Sequence, residues 1–312
     1  MNREQFTGIC KKSQNELKQY VITKLKKRYE KLWIHKDFVY AKGTVPVCLV
    51  AHLDTVHDNL PEQIVWEKDR VSSPQGIGGD DRCGVYAILQ IIQRHNCSVL
   101  FCCDEEVGGL GALAFSQTSL CKEMEVNYMI ELDRKGNNDA VFYDCGNPAF
   151  TKFITDTGMW EENYGSFSDI SEIAPEAGVA AVNLSVGYYN QHTLKEYVVP
   201  SEVDRAIDCV CKLIEKTTEA DKFEYIEAAY DYKGYYGNRY GYNFKRYDNY
   251  GYYDESIYLI QYEDNNGEMH WVEVEACGEY EAIGKFVSMY EDIPFRQVFD
   301  VMDESMYAYS QK

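Results

Sequence analysis

Apolar and polar positions along the first two-thirds of the chain follow two periods in turn. Asn15 to Lys31 spaces its apolar residues as one face of a helix whose other face is basic. Val45 to Ala51, VPVCLVA, is a short unbroken apolar run of the kind that forms a strand buried on both faces. Helical spacing returns over Cys83 to His95, followed by a second buried strand at Ser98 to Cys103 and a short helix at Leu110 to Phe115. Further strands are expected at Val126 to Asp133 and Val179 to Val186, and a closing helix at Glu202 to Thr217. Strands alternating with helices at this pace predict an α/β fold over residues 1–222. The expected architecture is a mostly parallel twisted sheet with helices on both faces.

The rhythm then breaks. Residues 223–254 read as a linker, and within it residues 230–253 hold ten tyrosines and four glycines with no period of 2 or 3.6. Tyrosine interleaved with Lys and Arg also suits stacking on single-stranded nucleic acid. The simpler reading is a strap whose rings lie against the neighbouring domains. Over residues 255–312 alternation resumes. SIYLIQYE and HWVEVEAC are strands around an Asp264-Asn265-Asn266-Gly267 turn, followed by a helix from Glu279 to Tyr290 and a strand-like Phe295 to Val301. This small acidic α+β module, ββα(β), shows no catalytic cluster. It is expected to bind a protein partner or to self-associate.

Charge narrows the function classes. The 312 residues carry 51 Asp and Glu against 31 Lys and Arg, a net charge of -20. A nucleic-acid binder needs a basic face, so that class is excluded. Half of the excess lies after Asp254, where 13 acids face 3 bases. No apolar run approaches the ~20 residues of a membrane span, and Met1 to Gln14 lacks the apolar core of a signal peptide. The eleven cysteines form no CxxC pair. Reduced thiols in a cytoplasmic setting are expected, and any metal should be held by His and carboxylate.

Five short motifs carry that chemistry, each just after a strand or in a turn opening a helix. His52-Leu53-Asp54 offers an imidazole ligand, with a carboxylate two residues on to hold its other ring nitrogen. In Gly78-Gly79-Asp80-Asp81 the glycines let the backbone turn tightly and present a carboxylate that is able to bridge two divalent ions. Asp104-Glu105-Glu106-Val107-Gly108-Gly109 ends a buried strand with adjacent acids, one suited to bind metal and the other to act as general base. Asp133 closes MIELD, and His192 lies in the loop after the strand at 179–186. Singly, each has an ordinary alternative: a surface turn, an Asp-rich helix cap, a solvated acidic loop, a surface histidine. Together, two His and three carboxylates at the carboxyl edge of one sheet suit two zinc ions. His52 and Asp133 are expected on one ion, Glu106 and His192 on the other, with Asp80 between them and Glu105 left free.

The order H-x-D, G-G-D-D, D-E-E-x-G-G, E-L-D and a late loop His resembles the co-catalytic di-zinc exopeptidases. That family includes peptidase T, glutamate carboxypeptidase and bacterial aminopeptidases of phosphorylase/hydrolase-like fold. The likeness runs from about residue 15 to residue 217 and is most specific at AHLDTV, GIGGDD and DEEVGG. It implies metal ligation by His52, Asp80, Glu106, Asp133 and His192, a general base at Glu105, and Asp54 as the orienter of His52. In such families the peptide corresponding to Asp80–Asp81 can be cis. One feature departs from peptidase T and the carboxypeptidases, which insert a lid or dimerisation domain between the fourth and fifth ligands. Here Asp133 and His192 are only 59 positions apart, so the layout is closer to that of the compact aminopeptidases.

The resemblance implies hydrolysis of a terminal bond in a peptide or small amide. The cofactor is a pair of divalent ions, zinc expected and manganese or cobalt as substitutes. An N-acyl-amino-acid deacylase on the same metal pair, or a non-catalytic binding or assembly protein on a peptidase scaffold, is the alternative. Arg134 either binds a substrate carboxylate or neutralises the acidic rim. Ser168 and Asp169 are candidates to line the pocket or bind a substrate amine. Glu196 reads as a solvated residue at a helix start, and His35, His57, His95 and His270 as surface residues.

Overall fold

The computed structural model describes residues 1–228 except 58, 166 and 219, and beyond them residues 256–263, 268–276, 286 and 298–303. The chain divides into two units, Met1–Lys233 and Gly234–Lys312.

In chain order the first unit runs α1 (Arg3–Cys10), α2 (Gln14–Leu25), β1 (Lys31–Ile34), β2 (Phe38–Lys42), β3 (Val45–His52), β4 (Val65–Trp66), β5 (Val71–Ser72), α3 (Gly79–Arg94), β6 (Cys97–Cys102), α4 (Leu110–Ser116) and α5 (Ser119–Lys122). It continues with β7 (Tyr128–Arg134), β8 (Asp139–Val141), α6 (Pro148–Thr155), β9 (Glu161–Asn163), α7 (Asp169–Ala177), β10 (Ala181–Ser185), β11 (Tyr188–Tyr189), β12 (Tyr197–Val198) and α8 (Pro200–Lys216). Eight strands form one mixed sheet in the order β1-β2-β6-β3-β7-β10-β8-β9. Its centre, β6-β3-β7-β10, is parallel throughout. Of the strands that depart from this direction, β2 and β8 pair antiparallel on either side of the centre, and β9 runs parallel to β8.

The period-2 alternation of each strand splits the core into two layers. Val47, Leu49 and Ala51 of β3 face the layer with α1, α2, α3 and α8, whereas Cys48 and Val50 face that with α4, α5 and α7. Helices therefore cover both faces, as the alternating pattern predicts.

One expected element is corrected. The helix foreseen from Asn15 to Lys31 stops at Leu25. Ser13 opens it with a reciprocal capping box to Glu16, and the chain then turns so that the Tyr29 hydroxyl reaches the Cys97 carbonyl at 2.6 Å. Lys31 begins a strand instead, held by β2. The short strands β1, β4, β5, β8 and β9 have too few residues to show a period of their own.

The turn that opens α3 is where the fold prepares its site. The Asp80–Asp81 peptide is cis. A Cβ on Gly79 would lie 2.8 Å from the Tyr188 Cβ and 2.9 Å from the Val198 Cγ2, so only glycine lets the β11–β12 hairpin pack here. Gly84 is equally constrained: a Cβ there would meet an Asp81 carboxylate oxygen at 2.4 Å and the Leu132 carbonyl oxygen at 2.5 Å. The 58 residues between Asp133 and His192 contain β8, α6, β9, α7, β10 and β11, all within the first unit.

In the second unit β13 (Ser256–Glu263) lies between β14 (Met269–Ala276) and β15 (Val298–Asp303), antiparallel to both. Ile260, Tyr262, Val274 and Phe286 pack together on one face. The expected turn at 264–267, most of the expected 279–290 helix and the Tyr-rich 230–253 segment lie outside the described residues. Among the described residues no helix is long and apolar enough to cross a membrane.

Candidate metal centre

Four parallel strands end on the same side of the sheet, and each delivers chemistry at or just past its carboxyl end. His52 is the last residue of β3 and fully buried, and Asp133 is the penultimate residue of β7. The loop after β6 brings Glu105 and Glu106, and the hairpin that follows β10 brings His192. The glycine turn opening α3 adds Asp80. This is the crevice beyond the strand ends where open α/β sheets bind their ligands.

Five of these six residues, all but Glu105, converge in short contacts. The Asp80 carboxylate lies between the two imidazoles, Oδ1 at 3.0 Å from His52 Nε2 and Oδ2 at 3.2 Å from His192 Nε2. Asp133 Oδ1 is 3.6 Å from His52 Nε2, and Glu106 Oε2 is 3.2 Å from His192 Nε2. Four ligand atoms arranged tetrahedrally at ~2.0–2.1 Å from a zinc ion stand about 3.3 Å from one another. The observed spacings fit that shell at both ends of Asp80. Glu106 Oε1 is buried with no hydrogen-bond partner, a further acceptor available to a cation. Asp81 also comes within ligand distance of His52 and Asp133. Its oxygens, however, are taken by the main chain: Gly84 N–H donates to Oδ1 at 2.8 Å and His52 N–H to Oδ2 at 3.2 Å. Asp81 thus holds the turn.

A second layer orients these groups. Asp54 faces His52 Nδ1 at 3.2 Å and accepts the main-chain N–H groups of Glu105 and Glu106 at 3.0 Å each. One carboxylate therefore sets both the imidazole and the acidic loop. Tyr188 donates its hydroxyl to Asp133 Oδ1 at 3.1 Å, and the Asn183 amide brackets the Asp133 main chain. The buried Arg82 guanidinium donates to the carbonyls of Leu53, Asp54 and Lys12. Glu196 is fully buried and accepts from Gly78 N–H, Asp80 N–H and His57.

The last contact corrects two expectations. Glu196 is not solvated, and the side chain of His57 is 8% exposed against it. Neither was visible in sequence, because Glu196 lies in TLKEY and meets its partners more than a hundred positions away. Tyr188 and Asn183 sit in ordinary apolar and hairpin segments and carry no motif.

Two of the remaining candidates, Arg134 and Ser168, are engaged by partners other than the imidazoles. Arg134 faces Asp139 at 3.4 Å and donates to the Tyr164 carbonyl. Ser168 is buried on the α7 face, hydrogen-bonded to Glu131 and to Asn183. Asp169 is buried beside it, and neither of its oxygens has a hydrogen-bond partner.

The electrostatics are those of an acidic pocket short of positive charge. Burial and neighbouring acids hold the carboxyls of Glu105, Glu131 and Asp133 well above the usual range. Burial would also raise Asp80, but His192 and His52 pull it well below. Burial disfavours the charged form of His52, yet Asp133, Asp54 and Asp80 keep its imidazole well above its ordinary value. His192 is pushed up to about 10 by Asp80 and Glu106.

Asp169 gives this strain a measurable consequence. Burial lifts its carboxyl to about 7. Between the ordinary carboxylate range and about pH 7 the folded chain keeps a proton here that the unfolded chain has released. Stability from this group therefore falls as pH rises through that window. Denaturant unfolding of metal-free protein at about pH 5 and about pH 8 should show a wild-type loss that Asp169→Asn reduces by on the order of 1–3 kcal/mol. An identical loss in the variant would show that Asp169 is ionised throughout.

No family model and no curated protein matches the sequence. Similarity appears in solved structures. Aminopeptidase APDkam598 from the archaeon Desulfurococcus kamchatkensis aligns with a TM-score of 0.55 at 17% identity, over 70% of this chain and 95% of that one. Aminopeptidase PepT from Bacillus cereus aligns with a TM-score of 0.52 at 13% identity, over 68% and 96%. A tripeptidase from Staphylococcus aureus aligns with a TM-score of 0.52 at 13% identity, over 67% and 96%. Over about two-thirds of its length, the chain has the α/β fold of these peptidases.

Proposed function

We propose that this chain is a metal-dependent exopeptidase of the aminopeptidase kind, working with two divalent ions, zinc foremost. The observation that carries the reading is Asp80 spanning His52 and His192, with Asp133 and Glu106 at the two ends and Glu105 taking no part in these short contacts. His52, Asp133 and Asp80 would hold one ion; His192, Glu106 and Asp80 the other. Bound there, the ions would supply Lewis acidity toward a water and a substrate carbonyl.

The protein's own part is proton handling and orientation. Glu105 accepts a proton from the attacking water on its carboxylate and delivers it to the leaving amine nitrogen. Asp54 keeps His52 oriented through Nδ1 and fixes the Glu105 main chain. Two supports favour a free amino terminus over a free carboxylate. The pocket is lined by acids, and Arg134, the cation next to a ligand, is engaged by Asp139 and Tyr164. All ten described cysteines are free, which supports the expected reducing, cytoplasmic setting.

A panel of aminoacyl, dipeptide and N-acyl-amino-acid substrates, run with zinc, manganese or cobalt, tests the reading. Release of amino-terminal residues is expected, with N-acyl compounds inert. Cleavage confined to N-acyl compounds would make the chain a deacylase. Silence across the panel with metal bound would make it a binding protein on a peptidase scaffold.

A further inference from the structure

We propose that Glu196 is a positioning residue that locks the His192 hairpin onto the Asp80 turn. On this view, occupancy of the metal position at Glu106 and His192 depends on Glu196 more strongly than that at His52 and Asp133, which shares only Asp80 with it. The inference rests on the two-ion reading above and adds an inequality between the two positions.

The supports of the two positions differ. His52 and Asp133 belong to β3 and β7, neighbours at the centre of the sheet, paired from Val47↔Tyr128 to Val50↔Glu131. Their main chains are held by ladders on both sides. His192 sits on a hairpin whose ladder is two pairs long, Tyr188↔Val198 and Tyr189↔Tyr197, with β12 joined on its other side to β5 by two further pairs and β11 unpaired beyond it in that small sheet. Its side chain is 43% exposed, and both Asn190 and His192 take left-handed backbone conformations, φ 56° and 60°. Such a conformation is costly for residues other than glycine and persists only where surrounding contacts impose it.

Glu196 is the contact that imposes it. Within the hairpin, Glu196 N–H donates to the Thr193 carbonyl at 3.1 Å, and the Thr193 hydroxyl donates to the Asn190 carbonyl at 2.8 Å. These turns join His192 to Glu196 in one short unit. From that unit the Glu196 carboxylate reaches into the protein. It accepts Gly78 N–H at 2.8 Å and Asp80 N–H at 3.1 Å, one on each oxygen, and pairs with His57 Nε2 at 3.0 Å. Three segments thus meet on one buried carboxylate: the turn that presents Asp80, the hairpin that presents His192, and the loop that follows His52 and Asp54.

The residue type matters. Two main-chain donors on separate oxygens require an acceptor at both, which a carboxylate offers. A glutamine would set an amide N–H₂ against one of those donors, losing that bond and leaving a buried donor unsatisfied. The acid is buried close to the anionic Asp80. Its three directed hydrogen bonds account for its place.

The test is zinc binding by the full chain, read by chelator competition and elemental analysis, with no activity measurement needed. Wild type is expected to take up two ions. Glu196→Gln should weaken the ion at Glu106 and His192 about 10–100-fold, the usual cost of removing an orienting partner, and the other ion by clearly less. His192→Ala should weaken the ion at Glu106 and His192 as well, and Glu196→Gln added to His192→Ala should cost little more, because both act chiefly on one position. A residue that merely supports the fold would instead add its full effect in the double variant. Should Glu196→Gln fail to fold, His57→Gln removes one of its three partners and should weaken chiefly the same ion, to a smaller degree. Equal weakening of both ions, no weakening, or full additivity with His192→Ala would overturn the assignment. If wild type itself binds no zinc, the two-ion reading falls first and the assignment with it.

Discussion

Glu105→Gln is expected to bind both ions and yet lose hydrolysis by about 10²–10⁴-fold, the range that a positioned proton carrier contributes. The substitution changes little else. Gln keeps the length and shape of the side chain, and the main-chain N–H at 105 still reaches Asp54 at 3.0 Å. What is removed is a carboxylate able to take a proton from water and return it to the departing amine. Burial, together with Asp133, Asp169 and Glu106, works against the charged form of Glu105. Neutralising that side chain should therefore leave the metal-free fold as stable as wild type or more so. Turnover on the best substrate of the panel, set beside zinc content and a thermal melt, checks all three parts. Near-normal turnover in a fully loaded variant would remove Glu105 from its role.

The second large effect belongs to Asp80→Ala. Its two oxygens are placed 3.0 Å from His52 and 3.2 Å from His192. Their removal takes one ligand from each position at once. Zinc affinity should drop at both positions by more than the ~10–100-fold that loss of an outer partner costs, and activity should disappear with it. Dialysed variant analysed for zinc should hold well under two ions per chain. Zinc content equal to that of wild type would show that Asp80 does not bridge. The contrast with Glu196→Gln is the informative one: a bridging ligand should empty both positions, an orienting residue chiefly one.

Much of this centre could be foreseen from local pattern. VPVCLVA and SVLFCC are unbroken apolar runs, and a polar residue directly after such a run lies at the end of a buried strand. His52, Glu105 and Glu106 are placed by that argument alone. Asp133 follows from MIELD in the same way. Gly78-Gly79-Asp80-Asp81 signals a tight turn, because only glycine tolerates the approach of Tyr188 and Val198 at Gly79.

The first helix shows where such reasoning stops. The apolar spacing from Asn15 continues past Leu25, yet the chain turns there because Tyr29 finds a carbonyl on β6 and Lys31 pairs with β2. Short strands such as β8 and β12 owe their existence to a neighbour and have no pattern of their own. Glu196 is the sharpest case: an acid in a polar stretch is solvated by default, and only three distant donors bury it.

By itself, then, the sequence pointed to a kind of chemistry, nitrogen and oxygen groups without thiolates, and to the strand ends that carry them. Both follow from side-chain type and from apolar runs spanning fewer than ten residues. Only the tertiary structure decided which imidazole meets which oxygen, that Arg134 is already engaged, and that Glu196 and His57 belong to the support of the site. Those facts depend on segments separated by up to 139 positions meeting in one buried place. There, lost hydration makes each hydrogen bond count for more than any local preference of the chain.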